Sequence, residues 1–364
     1  MFASNSASLD TTRPGTTMSY ISSSDRFARR QARELAKQEK EQTKHSEQVR
    51  TRLEVENYQR NIEGLLSIHK EVSETKDWLT IASTLPPLPP SRSAHHEQRA
   101  RQFALIQTPS IQPILEAAIA KGKAQDEAVN RTALQYYEQQ FRKWSRMREL
   151  ACRVLSGELK AYSNALEEFG PFAELTDMGT EVEFTMHSPT RIECVLIVKA
   201  SDAIPNEAKS LTSTGKLAVK PMPRTRFHEI YQDHVCGCVL RVARETFAVL
   251  PIEQLLITAT TAIFDSASGL TATKPVLSVL VSRSEVARFQ WDLLDPSDAI
   301  DRLLHRSDFK ASRKTGAFQA IEPMTAAVFA GLPATHQGVS ALLAQATALR
   351  QELQDELTLL AKRV

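Results

Sequence analysis

The hydrophobic period of this chain first changes near Glu181, and that change limits what the chain can fold into. Before it, mostly apolar residues recur every three or four positions. Val55, Tyr58, Ile62, Leu65, His69 and Val72 make one seam, and Leu134, Tyr137, Phe141, Trp144, Ala151 and Leu155 make a second. Such spacing lines up side chains on one stripe of a helix. After it, Val182, Phe184 and Met186 alternate with polar neighbours, the period of a half-buried strand. The pattern predicts an α+β fold: a long helical N-terminal half followed by a mixed-sheet α+β domain.

Finer divisions follow from helix signals and breakers. Residues 1–24 are Ser/Thr-rich and expected to be disordered, with Met18-Ser-Tyr reading as a natural start. Residues 25–84 form a charged helical or coiled-coil arm. From Asp25 to Glu56 there are nine basic and seven acidic residues and no Pro or Gly. Ala36 to Gln48 lacks an apolar stripe, so that part is a solvated helix. Asp77 can cap a short helix over Trp78–Ala82. Residues 85–92, with Leu85-Pro-Pro-Leu-Pro-Pro90, form a stiff linker. Residues 93–170 are helical: Ala94–Leu105, then Ile114–Leu155 closed by Ser156-Gly157, then Glu158–Phe169. Residues 180–322 form the α+β domain, with strands Glu181–Met186, Arg191–Val198, Lys216–Lys220, Leu255–Thr260 and Pro275–Ser282. A buried helix, Arg226–Leu250, precedes the fourth strand. Asp295-Pro296 starts another helix running to about His305. Residues 323–364 supply C-terminal helices, one over Ser340–Lys362.

Charge and cysteine usage narrow the function. Lys and Arg total 45 against 43 Asp and Glu, so an anionic partner must be met by a local patch. The longest apolar runs, such as Pro275–Val281, are too short to span a bilayer, so no membrane partner is expected. Cys152, Cys194, Cys236 and Cys238 are unevenly spaced and read as reduced thiols of a cytoplasmic protein.

Several local patterns suggest chemistry. His228-Glu229 lacks the second His that a zinc-protease helix needs, since position 232 is Gln. His234 and Cys238 share a helix face, but Cys236 points away, so core packing around Gly237 outweighs a metal site. Gly215-Lys216 lacks the rest of a phosphate loop. Glu207-Ala-Lys209 is a literal E-x-K, as in PD-(D/E)xK nucleases, where such a Glu and an upstream acid hold a divalent metal such as Mg. Glu181, Glu183, Glu193 and Asp202 are upstream acids, but the tripeptide follows Pro205 in a stretch that reads as loop.

The strongest local signal is a basic cluster, Lys209, Lys216, Lys220, Arg224 and Arg226, with no acid between Ala208 and His228. Ser210, Thr212, Ser213 and Thr214 add hydroxyls, and together they could hold phosphate oxygens. The bland alternative is a solvated edge strand, because edge lysines block aberrant pairing. His305, Arg306, Lys310, Arg313 and Lys314 make a second basic group. The helical seams could pack on each other, self-associate or dock a protein partner.

Lys209-Ser-Leu-Thr, Gly215-Lys-Leu, Tyr231–Glu245, Leu65–Lys70 and Asp295–Ala299 resemble a family of bacterial cytosolic proteins to which no activity is attached. The likeness covers most of the chain after Met18. It implies a bacterial cytosolic origin and nothing about catalysis. The residues lead to an expectation of a non-enzymatic interaction or scaffold protein, whose α+β domain binds nucleic acid or another anionic partner through the basic patch and which needs no cofactor. The alternative is a metal-dependent nuclease using Glu207 and Lys209.

Overall fold

The computed structural model describes residues 23–71, 73–104, 112–172, 180–199, 203–265, 268–313 and 317–331, with 348 and 352. Of the disorder expected over residues 1–24, residues 1–22 lie outside these, whereas Ser23 and Ser24 already belong to a helix; the helix expected over Ser340–Lys362 lies outside them apart from 348 and 352. The fold is α+β, as expected. No helix among the described residues is long and apolar enough to cross a membrane. The chain divides into an arm unit, residues 1–60 and 207–220, and a body, residues 61–206 and 221–364.

The arm holds most of helix α1 (Ser23–Ser67) and a two-stranded hairpin, β3 (Glu207–Leu211) and β4 (Leu217–Pro221). Every residue from Phe27 to Arg50 is exposed, which fits the missing apolar stripe. Burial begins at Val55.

The body is built on a five-stranded sheet of order β1-β2-β5-β6-β7. Strand β1 (Thr180–Ser188) pairs antiparallel with β2 (Arg191–Val198), which runs parallel to β5 (Gln254–Asp265). Strand β5 then pairs antiparallel with β6 (Leu270–Ser282), and β6 with β7 (Leu304–Ser307). The alternation read over Glu181–Met186 is present in β1, where Val182, Phe184 and Met186 are half-buried between exposed neighbours. Strand β2 is more deeply buried, with Ile192, Cys194, Leu196 and Val198 buried and the residues between them half-buried. Strands β5 and β6 reach further than the expected Leu255–Thr260 and Pro275–Ser282, because Thr261–Asp265 and Leu270–Lys274 pair with each other.

The central helix of the body (Arg224–Val249, named α6 below) has 18 of its 26 residues buried. It packs on β2 and β5, and also on helix α5 (Leu159–Phe169), the turn Ile68–Lys70 and the short helix Pro296–Asp301. Gly237 allows the turn to approach: a Cβ there would lie 2.9 Å from Ile68 Cγ2. The close contact at Gly237 is therefore with this turn.

Charged residues one turn apart on α6 strap the segment after the turn. Arg241 pairs with Glu71 at 2.8 Å, the Arg244 guanidinium donates to Lys70 O at 2.7 Å, and Glu245 accepts from Ser73 N at 3.1 Å. Helix α2 (Trp78–Ser83) is capped by Asp77, which accepts from Thr80 N at 3.0 Å, and Trp78 Nε1 donates to Val249 O at 2.6 Å.

Helix α3 (His95–Ala104) and helix α4 (Gln112–Leu155) form a tight hairpin. Asp126 accepts from His96 N at 3.1 Å and Glu97 N at 2.8 Å, supplying the start of α3 with a cap from another helix. Asn130 both accepts from Ser93 N, at 2.7 Å, and donates to Ser93 O, at 2.8 Å. Gly157, with φ +75°, turns the chain out of α4 as anticipated. At the end of the first seam Leu65, Ile68 and His69 are buried, with the Ile68–Lys70 turn against α6, and α4 packs with α2, α3 and α5. The Asp295 cap is present, accepting from Ser297 N and Asp298 N, but its helix stops at Asp301. Leu304–Ser307 is drawn into the sheet edge beside Leu277–Leu280 instead.

Candidate anion-binding surface

The basic cluster is anchored by the hairpin of the arm. Glu207–Leu211, expected as loop, is a strand because it pairs with Leu217–Pro221; its own five residues carry no apolar alternation. The turn between them is locally closed. Thr212 N donates to Lys216 O at 2.9 Å, Gly215 N donates to Thr212 O at 2.9 Å, and Lys216 N donates to Thr212 Oγ1 at 3.0 Å. Gly215 has φ +76°, a conformation that glycine reaches without strain. The Thr212 and Thr214 hydroxyls lie 3.0 Å apart and bond to each other.

The five basic residues fare differently. Lys209 Nζ lies 2.7 Å from Glu54 Oε1 on α1. That contact lowers the Glu54 pKa and raises that of Lys209, in both cases chiefly through the hydrogen bond. Arg226 pairs with Glu229 at 3.3 Å. Lys216, Lys220 and Arg224 are exposed, and none has an ion-pair partner among the described residues. Lys216 and Lys220 belong to the arm, and Arg224 and Arg226 open α6 in the body.

The second basic group is largely structural. Arg313 pairs with Asp308 at 2.8 Å, the Arg306 guanidinium donates to Glu322 O at 3.3 Å, and His305 lies 3.7 Å from Asp301. Phe309 and Phe318 form a β-bridge beside them with rings 5.0 Å apart. Lys314 is outside the described residues.

The E-x-K residues Glu207 and Lys209 sit on β3, with Lys209 held by Glu54 as above. Of the upstream acids, Glu181 pairs with Lys199 at 3.2 Å and Glu193 with His187 at 2.9 Å, and Asp202 is outside the described residues. No group of three or more His, Cys, Asp or Glu among the described residues is placed to hold a metal ion.

The His234 and Cys238 pair has a different use. His234 Nδ1 lies 3.1 Å from Leu65 O, so that nitrogen carries the hydrogen and leaves Nε2 to accept from the Cys238 thiol, 3.7 Å away. Burial lowers the His234 pKa and pushes the Cys238 thiol up to about 12, which keeps both neutral. An open groove of about 610 Å³ between α4 and α5 is lined by Arg146, Arg153, Glu167 and Glu168 among others. Its charges are of both signs and partly paired, with Arg146 2.6 Å from Glu168.

One basic surface escaped the reading by apolar spacing. On α1, at about 100° per residue, Arg29, Arg30, Arg33, Lys37, Lys40 and Lys44 all fall within an arc of about 100°. Glu34, Glu39 and Glu41 lie outside that arc, and Gln31, Gln38 and Gln42 occupy the opposite face. All six cations are exposed, and none has an ion-pair partner among the described residues. The signal was present in the sequence as a three-and-four spacing of cations. The arm unit holds fourteen Lys and Arg against nine Asp and Glu, a net of +5, which leaves −3 for the rest of the chain. No family model matches the chain, and neither a curated protein nor a solved structure matches it.

Proposed function

We propose that this chain is a non-enzymatic interaction protein whose β3–β4 hairpin contacts the phosphates of a nucleic acid. The observation that carries this reading is the state of the hairpin lysines. Lys216 and Lys220 are exposed and without an ion-pair partner among the described residues, while Lys209 is fixed on Glu54 and tethers the hairpin to α1. Free cations on a short, locally closed hairpin can meet phosphate oxygens without first breaking an internal pair. The nuclease alternative, with Glu207 and Lys209 acting on a Mg ion, has less support, because Lys209 is already committed to Glu54.

The test is binding of labelled duplex and single-stranded DNA and RNA across a range of salt. Counterion release makes phosphate contacts weaken steeply as salt rises. The doubly substituted Lys216→Glu, Lys220→Glu protein should bind at least several-fold more weakly than wild type. A flat salt response, or unchanged affinity in that variant, removes the hairpin from the account. An assay for cleavage of supercoiled DNA with Mg should show none, and cleavage lost in Lys209→Ala would reinstate the nuclease.

A further inference from the structure

We infer that the cationic stripe of α1 is a second binding surface, distinct from the hairpin, and that it lies along the phosphate backbone of a nucleic-acid duplex. The stripe is ordered in a way that a generally charged helix is not. From Phe27 to Lys44, every Lys and Arg falls inside one arc of about 100°, and every acid falls outside it. From Arg29 to Lys44 the row is about 22 Å long at the helical rise, with a cation every 4.5–6 Å or so along most of it. Such a row is regular, and the residues from Phe27 to Arg50 are all exposed.

The chemistry of the row selects among polyanions. A membrane surface would need an apolar face to enter the lipid boundary. Between Phe27 and Arg50 the large apolar residues are Phe27, Leu35 and Val49, which form no continuous face. A flexible single strand is typically held by aromatic rings on which bases stack, and Phe27 is the one aromatic residue of this stretch. A stiff duplex presents phosphates at regular intervals to a stiff row of cations, with no demand for stacking or apolar contact. The arc carries only Arg and Lys, without Asn or Gln placed to read base edges, so the contact is to the backbone and independent of sequence.

Two triple variants with the same change in net charge isolate the stripe. Lys37→Gln, Lys40→Gln, Lys44→Gln removes three cations from the arc. Gln31→Glu, Gln38→Glu, Gln42→Glu adds three anions to the opposite face. Each is made in the full chain, checked for helix content by circular dichroism, and titrated with a fluorescent duplex of roughly 30 base pairs, long enough to exceed the row. The arc variant should lose at least tenfold in affinity at about 100 mM salt, and its log–log salt slope should become shallower by about 3. The opposite-face variant should stay within about threefold of wild type, with its slope unchanged. Equal losses in the two variants would reduce the effect to net charge and overturn the stripe, as would a wild-type protein that binds anionic lipid vesicles but not duplex. The hairpin variant Lys216→Glu, Lys220→Glu reports separately, so either surface can fail while the other stands.

Discussion

Helix α1 and the central helix α6 are both rich in charge and use it in opposite ways. In the second half of α6 Arg241, Arg244 and Glu245 sit among buried neighbours, and each holds a specific atom of the segment Lys70–Ser73. On α1, between Phe27 and Arg50, nothing is buried and the cations of the stripe hold nothing among the described residues. A charge with an internal partner fixes the fold. A charge held in an ordered row without one is free for a partner outside the molecule. The comparison also explains why α6 tolerates a glycine at its centre: Gly237 allows close contact with Ile68, and tertiary packing offsets the loss of helix propensity.

That contrast can be broken most forcefully by trimming apolar side chains. Leu240 on α6 is fully buried, so Leu240→Ala should cost about 2–5 kcal/mol of stability in denaturant unfolding. Leu35 on α1 is 60% exposed, and Leu35→Ala should change stability by no more than about 0.5 kcal/mol. Comparable costs at the two sites would mean that the outer part of α1 is covered by something.

Acid should act on the body through His69 and His234, both of which burial holds below the ordinary histidine range. Lys70 adds to the effect at His69, where the Leu294 backbone and Asp295 oppose it, and the bond to Leu65 O opposes it at His234. The native state keeps the two neutral while the unfolded chain protonates them below about pH 6.5. The unfolded state then binds more protons, so stability falls as pH falls, by up to about 1.4 kcal/mol per pH unit for each histidine. Unfolding midpoints followed from about pH 7.5 to about pH 5.5 should show this slope, and His234→Gln should flatten it. A stability independent of pH across that window would mean that these rings are reached by solvent.

A smaller effect is expected at the α3–α4 hairpin. Asn130→Ala removes both bonds to Ser93 and should cost about 1–2 kcal/mol, read as a lower unfolding midpoint. The smallest is at the arm: Lys209→Ala breaks a half-exposed pair with Glu54 and should leave the thermal midpoint within the scatter of measurement.

The parts of this architecture that were legible in the sequence are those fixed by local chemistry. Strand β2 spans Arg191–Val198, as its composition indicated, because its alternating residues meet two different surroundings. Asp77 and Asp295 cap helices where a carboxylate precedes a helical run. Strands β3 and β7 were not legible, since Glu-Ala-Lys-Ser-Leu and Leu-His-Arg-Ser become strands through their partners alone. The same holds for the candidate site. Glu229, three residues from Arg226, was a visible partner, but Glu54, which takes Lys209, lies 155 positions away. The α1 stripe needed no structure to be found, only a count of cations by angle around the helix.

The most direct test of the account is the salt dependence of duplex binding by the unmodified full chain. If the six cations of the α1 arc face phosphates, log K against log salt should fall with a slope of about −5 or steeper, the hairpin lysines adding to it. A slope near zero, or binding that persists unchanged in molar salt, would contradict it.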